Sequence, residues 1–268
     1  MVCTLSKVQV LVAAVNQDCF SLLEKMNINS DTIIGNQCNE NRIENFVYHG
    51  HEIKAYSFAE KGVGLNRNNT LMRASGDICL FADDDMRYVD NYVQIVEEAF
   101  ERNPDADVIA FNLIEKDPTR YIIKSQERIG YLNYLRYGTA RIAVKTKRIK
   151  EEGIFFNLCF GGGTEHCHGE DNLFLTECLK KGLKMYAVPE YIAELTEERE
   201  STWNVGYNDK YFKDQGSLYY AISKKGWKLL CFQDALRHRK QYGMSFIKAY
   251  KKMTDIRVNE TDGRDKKK

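Results

Sequence analysis

The sequence predicts an α/β sandwich built on a mostly parallel central sheet, and three observations carry that reading. Short β-branched or apolar runs suited to burial on both faces alternate with segments of helical periodicity from the first residues onward. Strand, helix, strand opens a parallel sheet and excludes an all-α or all-β domain. The 268 residues, 43% hydrophobic and 12% aromatic with only 3 prolines, suffice for one large core, and disordered, collagen-like and fibrous classes are excluded.

Taken in order, residues 7–15 read as the first strand, 18–26 as a helix and 31–35 as a second strand. A strand at 46–49, a helix at 65–74, a strand at 78–82, a helix at 89–102 and a strand at 108–113 follow. Pro104, after Asn103, stops the helix because it can neither donate a backbone hydrogen bond nor leave room for the preceding carbonyl. From 117 to 141 the pattern loosens. Residues 140–145 then read as a strand, Gly161-Gly162-Gly163-Thr164 as a loop, 169–181 as a helix capped by Gly182, and 183–188 as a late strand. Beyond Thr202, Trp203, Tyr207, Tyr211, Phe212, Tyr219, Tyr220 and Trp227 recur on helical spacing. Residues 259–268 are expected to be a disordered tail.

Charge and cysteines narrow the class. With 39 Lys+Arg against 38 Asp+Glu the net charge is +1, so the overall field does not hold this chain to nucleic acid. The apolar run at 8–15 contains Gln9, is far shorter than the ~20 residues that cross a bilayer, and has no cleavage-site flank; a cytoplasmic location is expected. The 8 cysteines form no Cys-x-x-Cys pair and several sit in apolar segments, as reduced buried thiols do.

Two acidic stations carry the chemistry. Asp83-Asp84-Asp85 directly follows the apolar strand at 78–82. Three adjacent carboxylates at the carboxyl end of an inner strand repel one another and call for a cation. A hard ion such as Mg²⁺ or Mn²⁺ takes one or two carboxylates and completes its shell with phosphate and water, and open α/β sheets bind their ligands at this end. A solvated turn that uses Asp for capping is the alternative, which the apolar strand in front disfavours. The second station, Glu170-Asp171, opens a helix after the three glycines. First-turn carboxylates suit a helix N-terminus, but that does not account for glycines that clear a path to a candidate general base. His166-Cys167-His168 carries ligand-type side chains, yet zinc takes four ligands and no Cys-x-x-Cys partner exists, so these residues are expected to line the pocket or satisfy backbone groups.

With both stations in view, the chain resembles the inverting glycosyltransferases of family 2, which have the GT-A fold. The resemblance rests on residues 10–16 as first strand, Lys61-Gly-Val-Gly-Leu-Asn-Arg-Asn-Asn as helix-opening segment, Ala74-Ser-Gly-Asp-Ile-Cys-Leu-Phe-Ala-Asp-Asp-Asp with its Asp-x-Asp element, and Gly169-Glu-Asp-Asn-Leu-Phe-Leu. It spans residues 8–188, about two thirds of the chain. It implies Asp83 or Asp84 at the nucleotide ribose, Asp85 with Asp83 on Mn²⁺ or Mg²⁺, and Asp171 as proton acceptor with Glu170 beside it. Arg67 is the expected cation facing the diphosphate. Relatives carry an acidic turn after the second strand to read the base, usually uracil; here Asn36 and Gln37 stand there, and amides can still pair with a base edge.

The implied reaction moves a sugar from a nucleoside-diphosphate sugar to a glycan hydroxyl in one inverting displacement. Gly162 and Gly163 would admit the acceptor, an oligosaccharide or lipid-linked glycan, and Trp203 and Tyr207 offer flat faces for a sugar ring. Glu200-Ser-Thr-Trp203 with Gly206-Tyr207 resembles a segment of bacterial members that build capsule or exopolysaccharide. The expected division is a catalytic unit at 1–200, with a nucleotide-binding half about 1–115 and an acceptor-binding half about 116–200, then a helical extension at 201–258. In that extension, residues 224–257 hold ten Lys or Arg against Asp234 and Asp255, interleaved with aromatics, a composition suited to the anionic inner face of a membrane or to a solvated helical hairpin. A degenerate nucleotide-sugar-binding protein, a sugar-1-phosphate nucleotidyltransferase and a metal phosphohydrolase are the competing readings. The intact acidic stations disfavour the first, and Asn16-Gln17-Asp18, unlike a basic phosphate loop, disfavours the second.

Overall fold

A computed structural model describes residues 7–118, 120–196 and 206–256. Trp203 and the tail at 259–268 lie outside the described residues. The central strand β1 (Val8–Val15) is buried through Ala14 and lies parallel to β2 (Asp31–Gln37) on one side and β5 (Ile78–Asp83) on the other. Between β1 and β2, α1 (Cys19–Lys25) is started by Asp18, whose carboxylate accepts from the Ser21 N–H at 2.9 Å.

Where the sequence suggests one strand at 46–49, the structure has a hairpin of β3 (Arg42–Tyr48) and β4 (His51–Phe58). Its two-residue turn is His49-Gly50, both at positive φ (49° and 86°), the geometry that matches the twist of paired strands. Histidine at that position conceals the turn from a search for Asn-Gly or Asp-Gly. The helix α2 (Val63–Arg73) then leads into β5, and β6 (Met86–Tyr88) precedes α3 (Tyr92–Arg102). The expected helix start at Val89 falls later because residues 86–88 pair as a strand.

The remaining strands are β7 (Val108–Ile114), β8 (Glu127–Ile129), β9 (Ile142–Lys145) and β10 (Met185–Leu195), with α4 (Thr146–Glu151) and α5 (Glu170–Lys180) between the last two. The sheet order is β3-β4-β2-β1-β5-β9-β7-β10-β6, with β8 paired to β10. β4, β2, β1 and β5 run parallel, as do β7 and β10, while β9 joins the two groups antiparallel to both neighbours. Alternation along the strands splits the core: Val10, Val12 and Leu80 pack under α1 and α3, and Leu11 and Phe81 under α2 and α5.

On the second face, Phe81 of β5 meets Phe174 of α5 edge-on at 5.6 Å, and Phe156 stacks on Phe174 at 4.4 Å. Such ring pairs contribute about 0.5–1.5 kcal/mol beyond burial, and here they fasten the element bearing one acidic station to the element bearing the other. Gly182, at φ 74°, ends α5: its N–H reaches the Leu179 carbonyl and the Leu183 N–H reaches the Cys178 carbonyl, a paired closure of free carbonyls.

Helices α6 (Asp209–Ile222), α7 (Trp227–Arg237) and α8 (Phe246–Thr254) enclose their own cluster of Phe212, Trp227, Cys231, Tyr242 and Met253. Inside it, the buried Asp234 carboxylate accepts the hydroxyls of Tyr219 and Tyr242, each at 2.5 Å. Leu218 of α6 packs with Leu173 and Phe160, joining the helical layer to the sheet side at α5. Among the described residues, no helix is long and apolar enough to cross a membrane.

Candidate active site

The carboxyl ends of β1, β2 and β5 open into a cleft of about 1010 Å³ lined by both acidic stations, the loop at 161–163 and residues 115–117 and 135–138. Ligand sites of a single small molecule occupy roughly 300–1,000 Å³, so this one lies at the upper end of that range. A smaller cavity of about 400 Å³ beside it shares Glu115 and Arg120 but reaches neither station.

One side chain joins the stations. Arg67, in the first turns of α2 and almost wholly buried, donates through Nη2 to Asp83 Oδ1 at 2.7 Å and through Nη1 to Glu170 Oε1 at 3.0 Å and Asp171 Oδ1 at 3.1 Å. Its plane lies over Phe156 at 5.5 Å. Burial opposes the guanidinium charge, and Asp83, Asp171 and Glu170 more than restore it, holding Arg67 above its ordinary value. The sequence suggests this arginine as a contact to the diphosphate; in the structure it is the tie between Asp83 and the acids at 170 and 171, nearly ninety residues further along the chain.

The triplet divides its work. Asp83 faces Arg67, and Asp84 Oδ2 accepts from the Val15 N–H at 3.1 Å and the Gln17 amide at 2.9 Å, which anchors the end of β1. The Asp85 carboxyl is pushed up to about 6, first by burial and then by the charges of Asp83 and Asp84. Carboxylates in that number supply the oxygen donors that a hard divalent cation takes.

At the second station the two acids differ. Glu170 is 13% exposed, and its carboxyl packs so close to Gly161 that a Cβ there would stand 2.7 Å from it; Gly161 also has φ 96°. Its carboxyl is held above the usual range by burial and by Asp171, with Arg67 opposing. Asp171 is 29% exposed, and its Oδ1 takes both Arg67 and the Thr139 hydroxyl. Its Oδ2 faces Gly138, where an added Cβ would stand 3.2 Å away. One oxygen is therefore fixed and the other turned toward bare backbone at the cleft.

The glycines have more definite tasks than an open path. Gly162 accepts from the Val63 N–H at 2.9 Å, tying the loop to the start of α2, and both Gly162 and Gly163 line the cleft.

Two of the expected contacts are corrected and a third lies outside the described residues. Asn36 uses its amide on the backbone of Gln17, at 3.1 and 2.8 Å, so it braces the turn after β1, and it is buried and does not line the cleft. Gln37 does line the cleft, with its Oε1 accepting from the Gly62 N–H at 2.7 Å. Tyr207 packs against Tyr211 and Tyr242, with ring centroids at 5.1 and 4.8 Å, at the side of the helical cluster, because Tyr211 on α6 and Tyr242 beyond α7 claim its ring; Trp203 lies outside the described residues.

Sequence reasoning missed Lys61, Arg120 and Arg136 on the cleft wall, together with Thr139. The two arginines come from the stretch at 117–141, whose lack of periodicity was the available signal of a functional loop.

The glycosyl transferase family 2 model matches residues 38–161, which include the Lys61 segment and the Asp triplet and stop short of Glu170. No curated protein matches the sequence. Among solved structures, Staphylococcus aureus TarS 1-349 in complex with UDP-GlcNAc is similar at a TM-score of 0.63 and 12% identity, covering 92% of this chain and 90% of that one. The same fragment in complex with UDP gives 0.60 at 13% identity over 92% and 90%. Against the longer TarS structure the TM-score is 0.59 at 14% identity, and this chain spans 54% of its length. These likenesses establish the GT-A fold.

Proposed function

We propose that this chain, a glycosyltransferase of family 2 through residues 38–161, moves a sugar from a uridine-diphosphate sugar to a glycan hydroxyl with inversion at the anomeric carbon. One observation carries the reading: Arg67 ties Asp83 to Glu170 and Asp171 in a single cleft, so a donor at the first station lies within reach of a base at the second. The UDP and UDP-GlcNAc complexes of TarS, on the same fold, support a uridine nucleotide donor.

In this reading Asp171 takes the proton of the acceptor hydroxyl through Oδ2, while Arg67 and Thr139 hold Oδ1 and fix the carboxylate plane. Glu170, more enclosed and with its carboxyl pushed up, positions Arg67 instead of acting as the base. Lys61, Arg120 and Arg136 supply positive charge along the wall where a diphosphate would lie. A Mn²⁺ or Mg²⁺ ion held by Asp85, with Asp83, would neutralise charge on the departing nucleoside diphosphate, a type of stabilisation worth about 3–4 kcal/mol per interaction.

The expected result is that UDP or a UDP-sugar raises the melting temperature in the presence of Mn²⁺, and that Asp85→Asn folds normally but loses this metal-dependent rise. Asn removes a mutually repelling carboxylate, so unfolding does not account for the loss. A rise in Asp85→Asn equal to that of the parent would sink the metal assignment.

A role in capsular or other cell-surface polysaccharide synthesis fits the same reading, with catalysis in residues 1–200 and acceptor presentation by the helices beyond. On α7, Leu229, Phe232 and Leu236 are exposed beside Lys228 and Arg237, a mixed apolar and basic face suited to anionic lipid at the inner membrane surface. The protein is expected to sediment with anionic vesicles at low salt and to be released at high salt. Equal sedimentation with neutral vesicles would rule the contact out.

A further inference from the structure

The loop before Glu170 carries a second cluster that the transfer chemistry does not use. Cys167 Sγ stands 3.4 Å from His168 Nδ1 and 3.1 Å from Asp214 Oδ2, and ligand-type atoms of these three residues all lie within 4.8 Å of one another. Bond lengths of about 2.3 Å to sulfur and 2.0–2.1 Å to nitrogen or oxygen put the corners of a tetrahedral zinc roughly 3.5 Å apart. The two distances from the sulfur are close to that, and the third lies within 4.8 Å. The sequence alone offers only His-Cys-His and argues against zinc; the fold adds Asp214, which lies on α6, 47 residues from Cys167.

The surroundings are arranged as ligands require. Gln215 donates its amide N–H to Asp234, so its Oε1, 2.8 Å from His168 Nε2, accepts the proton of that nitrogen. That fixes the tautomer and leaves the Nδ1 lone pair turned to the Cys167 sulfur, the arrangement of a histidine readied for a metal by its outer hydrogen bond. His166 Nδ1 donates to the other oxygen of Asp214 at 3.1 Å and orients that carboxylate in the same way. Asp214 Oδ2 also accepts from the Cys167 N–H at 3.0 Å and from Lys210 at 2.7 Å, and an ion there would displace Lys210, whose side chain is 57% exposed and also reaches the Glu165 carbonyl.

We infer that Cys167, His168 and Asp214 form a site for a soft or borderline divalent cation, zinc above all, separate from the oxygen-ligand site at Asp85. Binding displaces the thiol proton to solvent and leaves the fourth position to water. Because the three residues join the loop immediately before α5 to α6, the ion would clamp the segment that presents Glu170 and Asp171. The inference holds whether or not the chain transfers sugar.

Cobalt(II) reports the site directly. Chelator-treated full-length protein titrated with Co²⁺ is expected to take up one equivalent with a thiolate-to-cobalt band in the near ultraviolet and the visible bands of tetrahedral cobalt, both removed by one equivalent of Zn²⁺. Cys167→Ser and His168→Gln should each abolish the thiolate band, and Asp85→Asn should leave it intact. Zn²⁺ should also raise the melting temperature of the parent. A parent protein that gives no thiolate band, or a band that persists in Cys167→Ser, overturns the inference. Loss of the band in Asp85→Asn would overturn the separation of the two sites. Neither result bears on whether a nucleotide binds, which the Mn²⁺ experiment measures by itself.

Discussion

Asp171→Asn is expected to bind the donor nucleotide as tightly as the parent and to transfer sugar about 10²- to 10⁴-fold more slowly, the range a positioned base supplies. The amide keeps an oxygen for Arg67 and Thr139, so the geometry around Oδ1 survives. Its nitrogen, in place of Oδ2, cannot accept the acceptor proton. Steady-state transfer measured beside nucleotide titration separates the two effects. Transfer near the parent rate would remove Asp171 as the base.

The second large effect belongs to Arg67. Replacing it with Met leaves the Asp83, Glu170 and Asp171 carboxylates facing one another without their shared cation. Removing one partner of a buried ion pair typically costs about 3–5 kcal/mol, and three acids depend on this one. Chemical denaturation should show a loss of that order together with loss of transfer. Arg67→Lys should not restore either, because a single ammonium cannot span donors to Asp83 on one side and Glu170 and Asp171 on the other. A fully stable Arg67→Met protein would mean that the acids find other partners and that the tie is incidental.

How far this site could be read before the fold was known depends on the kind of signal. Val10, Leu11 and Val12, or Ile78 to Ala82, announce buried parallel strands by composition alone, and the carboxylates at 83–85 and 170–171 are visible because acids seldom follow such runs without purpose. The register of the sheet is not local information. Nothing in the sequence of β9 states that it lies antiparallel between β5 and β7, and it is that placement, with Phe81 on Phe174, that brings Asp83 and Asp171 to one guanidinium.

Asn36 and Tyr207 differ from the sequence expectation for the same reason. An amide after a strand and an aromatic on a helix are chemically able to meet a ligand, and only the neighbours decide whether they do: Gln17 claims the first, and Tyr211 with Tyr242 the second. Asp214 is the converse case. It reads as one more helical acid until α6 sets it against Cys167.

The most direct measurement is a crystal structure with Mn²⁺ and UDP, with anomalous data collected at the manganese edge. One manganese peak is expected on Asp85 beside the pyrophosphate, with Asp171 facing the same cleft from the opposite wall. A nucleotide bound elsewhere, or a manganese peak with no contact to Asp85, would contradict that expectation.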